Sequence, residues 1–288
     1  CRADEDLRHY SSILQRSHQS TGISTTTTTT TTTKISFSFR NVDDNDDTND
    51  NNNGVVELNS AGTITIASGG FFTLSGGNGT GQDDNVKLDL VGSGLGKLVN
   101  HGTMTLTAGD TGPTVTVTGE VDNDGTINVN HTTTLFDIAA TDFENKNLGV
   151  FTVATGKLVT FSGTSTSKFD NQAGATLTIN GTLDTGDRTF ASVGTINGSG
   201  TLRINAGALV MNSAHNLGNL VVQVGSGSNS GTWTTTNAST ATTAGGVNFV
   251  KGTIELGVTV TAGTFSVVDT TGAPTITSAG SLTIGSGA

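Results

Sequence analysis

The chain has 288 residues, of which 40 are Gly and 55 are Thr, with two prolines, 5% aromatics and only 13% charged residues. The net charge of -11 opposes phosphate and argues against nucleic-acid binding. The scarcity of Pro and the lack of a Gly every third residue exclude collagen, and the scarcity of strong helix formers excludes a coiled coil.

Cys1 is the only cysteine, so the chain has neither an internal disulfide framework nor a cysteine-built zinc site. A Cys at position 1 is what a lipidated, processed bacterial lipoprotein would show, or simply where a fragment begins. No stretch of about 18 apolar residues is present to span a membrane. Residues 4–16 place Leu7, Tyr10, Ile13 and Leu14 on one face, which predicts a short amphipathic helix. Acidic residues 4–6 suit its start and Arg16 suits its end. Thr25 to Thr33 is an unbroken threonine tract, unable to bury apolar surface and expected to be an extended linker. Residues 34–40 alternate strictly, with Ile35, Phe37 and Phe39 on one face of a predicted strand. That strand is expected to reach a neighbouring subunit by strand addition. Asp43, Asp44, Asp46, Asp47 and Asp50 follow in a run of Asp and Asn. They are candidate calcium ligands, although the run lacks the spacing of an EF-hand loop and reads first as a solvated linker. No other cofactor is implied.

The composition changes near residue 54, which divides the chain into an N-terminal segment, 1–54, and a repeat region, 55–288. Short alternating strands recur through the second part, among them Gly102-Thr103-Met104-Thr105-Leu106, Gly125-Thr126-Ile127-Asn128-Val129 and Ala175-Thr176-Leu177-Thr178-Ile179. Each has one apolar and one Thr-rich face. Asn100, Asn123, Asn147 and Asn171 stand just ahead of the Gly or Ala that opens such strands, spaced by 23 to 24 residues. A period of this size marks a solenoid rather than a propeller. About 24 residues suffice for three short strands and three turns, one coil of a parallel β-helix. The four asparagines are predicted to stack as a ladder at one corner, their amides bonding from coil to coil. A narrow interior is expected to favour Val, Ile and Leu and to exclude aromatics.

These Asn-x-Gly-Thr-[Ile/Leu]-x-[Ile/Val] coils resemble those of bacterial surface β-solenoids, the autotransporter passengers and filamentous-haemagglutinin-like adhesins. The resemblance covers residues 55–288 and rests on repeat style. It implies a secreted, right-handed parallel β-helix with no catalytic residues to carry over.

Catalysis on this scaffold needs clustered carboxylates with basic partners. The densest acidic groups are Asp83, Asp84 and Asp89, then Asp122 with Asp124, and Asp184 with Asp187. Lying beside Gly and Asn, they read as solvated turn caps; His101 and His131 also lie near turns, and an enzyme is not expected. Threonine rows at 103–107, 114–118 and 232–234 raise ice binding. Interruption by Asp, Lys and Asn makes ordinary strand-surface threonine the better account. Five sequons, at Asn78, Asn130, Asn180, Asn197 and Asn237, are glycosylation acceptors only in a host that modifies exported proteins. The reading is an extracellular, self-assembling structural subunit of a fibre or surface layer. The alternative is a rod-like adhesin that binds glycan or a host surface, with a polysaccharide-active enzyme or ice binder third.

Overall fold

A computed structural model describes residues 38–39, 56–59, 62–75, 86–90, 96–107, 114–138, 141–163, 166–227, 229–235, 240–255, 258–260, 264–268, 275–277 and 283–284. The expected helix at 4–16, the threonine tract and the acidic run at 43–50 lie outside them. Every described element is a strand, and the chain winds as a parallel β-solenoid of about 23 residues per coil. Each coil lays one strand on each of three faces.

The first face runs from Val56–Asn59 to Thr264–Val267, the second from Thr63–Ile66 to Thr275–Thr277, and the third starts at Phe71–Ser75. The second face holds ten strands, one per coil. The third is divided into sheets of six and four strands. All pairings between coils are parallel and in register, as in Thr103, Thr126, Val150 and Thr176. Among the described strands the one antiparallel ladder is at the start, where Ser38 faces Glu57 and Phe39 faces Val56. The described part of the expected donor strand therefore adds to its own first coil. The chain's own sheet edge is the nearest template for pairing. Ile35 and Phe37 lie outside the described residues, and of Phe39 only the backbone is described.

The strands form because their residues alternate. Thr103–Thr107 and Thr176–Ile179 turn every second side chain inward, where Met104, Leu106, Leu177 and Ile179 are fully buried. Thr occupies the outward positions, where a β-branched side chain suits the pleat and the hydroxyl meets water.

The interior corrects the expectation about aromatics. Phe136, Phe143, Phe151, Phe161, Phe169, Phe190, Trp233 and Phe249 are all buried there. In one coil Phe136, Phe143 and Phe151 enter from the three faces and meet edge to face. Their ring centroids are 5.2 and 5.3 Å apart for the pairs sharing Phe143. Phe161 stacks on Phe136 at 5.3 Å and Phe190 stacks on Phe169 at 4.5 Å. A triangular section is wide enough for three rings, and parallel register puts a ring above a ring. Offset and edge-to-face pairs add about 0.5–1.5 kcal/mol each beyond their buried area.

Candidate functional site

The corner between the second and third faces carries a buried polar ladder. Asn100 Nδ2 donates to Asn123 Oδ1 at 2.7 Å, Asn123 Nδ2 to Asn145 Oδ1 at 2.8 Å, and Asn145 Nδ2 to Asn171 Oδ1 at 2.9 Å. Asn171 then donates to Ser192 Oγ at 3.2 Å, and the column ends under Met211. Each amide also donates to the carbonyl that opens the next coil's third-face strand, at Thr126, Val150, Thr176 and Thr195. All four asparagines are fully buried, and the amide donors are spent, as low-dielectric surroundings require.

Asn145 fills the rung that the sequence spacing assigns to Asn147. The corner after Asn145 is two residues longer than those after Asn100 and Asn123. The extra residues form the turn Lys146-Asn147-Leu148-Gly149, closed by Gly149 N–H on the Lys146 carbonyl at 2.7 Å. Asn147 is exposed there. Actual steps along the ladder are 23, 22 and 26 residues. The signal that marks Asn145 is an apolar residue two positions earlier, as in Leu98-x-Asn100, Val121-x-Asn123, Phe143-x-Asn145 and Phe169-x-Asn171. The glycine of the repeated motif has its own cause. A Cβ on Gly125 would collide with the Gly102 carbonyl of the previous coil.

Outward residues are sorted by charge. The second face carries an ion network in which Asp122 Oδ2 receives Lys97 Nζ at 2.6 Å and Lys146 Nζ at 2.5 Å. Lys97 also meets Glu120 at 2.6 Å, and Lys146 meets Glu144 at 3.1 Å. Burial pushes the Asp122 carboxyl up, but bonds from Lys146 and Lys97 outweigh it and hold it below the usual carboxylate range. Asp122 is thus a buried strand residue in an ion pair, where a solvated turn cap was expected. Asp170, opposite Glu144, is pushed up by burial and then by Glu144. Asp184 accepts from Gly186 N–H at 2.8 Å as a turn cap does, and also pairs with Arg203 at 3.3 Å. Asp187 pairs with Arg188 at 2.7 Å, and Asp89 with Lys87 at 2.8 Å. His101 bridges coils to Asp124 at 2.5 Å. Asp83 and Asp84 lie outside the described residues.

The six-stranded third face is different. Its strands read FFTLS, TMTLT, TINV, VFTV, TLTI and TING, with no Asp, Glu, Lys or Arg. One outward column is Phe71, Thr103, Thr126, Val150, Thr176 and Thr195, and beside it runs Thr73, Thr105, Asn128, Thr152, Thr178 and Asn197. The three threonine rows fall on three faces: 103–107 on the third, 115–118 on the first, and 232–234 on the second. Among the described residues, the Asp and Lys that interrupt threonines along the chain are therefore not on these strands, whereas Asn128 and Asn197 are.

Of the sequons, Asn130 is exposed, Asn180 and Asn197 are half-buried, and Asn78 and Asn237 lie outside the described residues. Among the described residues no group of three or more His, Cys, Asp or Glu is placed to hold a metal ion. No helix among them is long and apolar enough to cross a membrane. No protein-family model, curated protein or solved structure matches the chain.

Proposed function

We propose that the chain is an extracellular structural protein, a rod-like β-solenoid subunit of a surface fibre or layer. The observation that carries this reading is the unbroken parallel register of the second face through ten strands. At about 4.8 Å per coil, ten coils make a rod about 45 Å long. Its interior is filled with apolar side chains and its corner is tied by the asparagine ladder. Glu120, Asp122 and Glu144 on the second face are engaged by Lys97 and Lys146, an arrangement suited to a stable surface more than to proton transfer. On this reading the protein is not an enzyme and needs no cofactor.

Self-assembly would use strand edges. Val267, Val268 and Ile276, on or beside the last described strands of two faces, are 52, 45 and 47% exposed, and a further layer of strands would cover them. Electron microscopy of the purified protein, with and without calcium, tests the reading. Filaments with an axial repeat near 45 Å support a fibre subunit. Isolated rods of that length support the adhesin reading instead, and compact particles would sink both. A dependence of filaments on calcium would assign a role to Asp43, Asp44, Asp46, Asp47 and Asp50.

A further inference from the structure

We infer that the charge-free third face binds ice. The inference needs the solenoid fold but not the fibre reading, which the microscopy above tests separately.

The first argument is charge. The chain carries a net charge of -11, and both other faces bear charged strand residues, among them Lys87, Asp184 and Arg203 on the first and Lys97, Asp122 and Glu144 on the second. The six third-face strands bear none. A charged side chain holds its own hydration shell and resists giving it up. A surface cleared of such groups suits a neutral partner whose own hydrogen bonds must continue up to the interface.

The second argument is geometry. Threonines on this face recur along two axes. Coils are about 4.8 Å apart, and alternate residues on one strand are about 6.7 Å apart. The prism plane of ordinary hexagonal ice has two perpendicular repeats close to these lengths. Thr103 and Thr105 form one row and Thr176 and Thr178 another, with Thr152 registered between them. Each hydroxyl can stand where a lattice water would, and each methyl fills the space between.

The third argument weighs other occupants. The six-stranded sheet offers about 24 Å by 13 Å, roughly 300 Å². A stable protein partner needs about 800 Å² a side and an apolar centre. Phe71, 68% exposed at one end, is the only aromatic turned outward on this sheet, so there is no ring platform for a sugar chain.

The test uses the full chain. Freezing hysteresis and ice-crystal shape are measured against concentration for wild type, Thr152→Tyr, Thr195→Lys and Thr160→Tyr. Thr152 is mid-array, Thr195 is an exposed array position, and Thr160 is an outward residue of the first face. Circular dichroism melts establish that each variant is folded. The expected result is faceted crystals and hysteresis for wild type and Thr160→Tyr, with a loss of about tenfold or more in the array variants, since a protruding group holds the lattice off. Thr195→Lys keeps the test decisive if Thr152→Tyr fails to fold. A folded wild type without hysteresis overturns the inference, as does an equal loss in Thr160→Tyr. Light scattering or cellulose pull-down that shows the array variants abolishing a dimer or glycan binding, with no hysteresis, also overturns it.

Discussion

Asn123 donates its side-chain amide to Asn145 across 2.8 Å, from one coil to the next, with both side chains fully buried. Asn123 also accepts from Asn100 and donates to the Val150 carbonyl. One side chain thus serves three neighbours in two adjoining coils. An orphaned buried donor or acceptor costs about 1–3 kcal/mol.

Asn123→Ala leaves both one N–H of the Asn100 amide and the Asn145 oxygen without their ladder partner. A loss of about 2–4 kcal/mol in unfolding free energy is expected. Asn147→Ala, at the exposed turn, should stay within about 0.5 kcal/mol. Urea titrations of the two variants side by side check this, and equal losses would refute the ladder's placement.

Leu148 is 75% exposed and sits at φ 71°, the single non-Gly residue at positive φ among the described residues. Gly174 holds the matching turn position one coil on, at φ 81°. A left-handed conformation costs an L-residue about 1–2 kcal/mol. Leu148→Gly is expected to raise stability by about 0.5–1 kcal/mol after the entropy of the unfolded glycine is deducted. A melting temperature below wild type would contradict it.

Phe169 lies between Phe143 and Phe190, with centroids 5.0 and 4.5 Å away. Phe169→Ala should cost about 3–5 kcal/mol, and Phe169→Leu distinctly less. The ordering of the two chemical denaturation midpoints is the readout.

Burial holds His131 and His215 below the ordinary imidazole pKa of 6.5, with backbone carbonyl contacts from Thr133 and Ser192 opposing it. The unfolded chain therefore takes up protons first as pH falls. Stability from these groups is fully present above pH 6.5 and is lost below it, toward their folded pKa values. Melting temperature should drop between pH 7.5 and pH 5, and His131→Gln should flatten that slope. A melting temperature independent of pH over this range would count against it.

The solenoid was legible because alternation and a period near 23 residues are properties of the line of sequence. Asn100, Asn123 and Asn171 were legible for the same reason. Asn145 was not, since equal spacing favours Asn147, and only the length of one corner decides between them. The phenylalanine stack needs the width of a triangular section, which no single strand reports. The charge-free face needs register. Glu120 and Asp122 lie within seven residues of Thr126, yet they belong to a different side of the prism. The in-chain pairing of Ser38 and Phe39 depends on which sheet edge is nearest, and composition is silent on that.

The register also bears on how the molecule assembles itself. Strand partners in adjoining coils are separated by steps such as 19 residues, at Thr182 and Thr201, and by as many as 34, at Thr63 and Lys97, so each coil closes a short loop against its predecessor. Among the described residues the pairings between coils all join neighbours, and folding can begin at one coil and spread in both directions. The coil with Phe136, Phe143 and Phe151, rich in contacts from all three sides, is the natural place to begin.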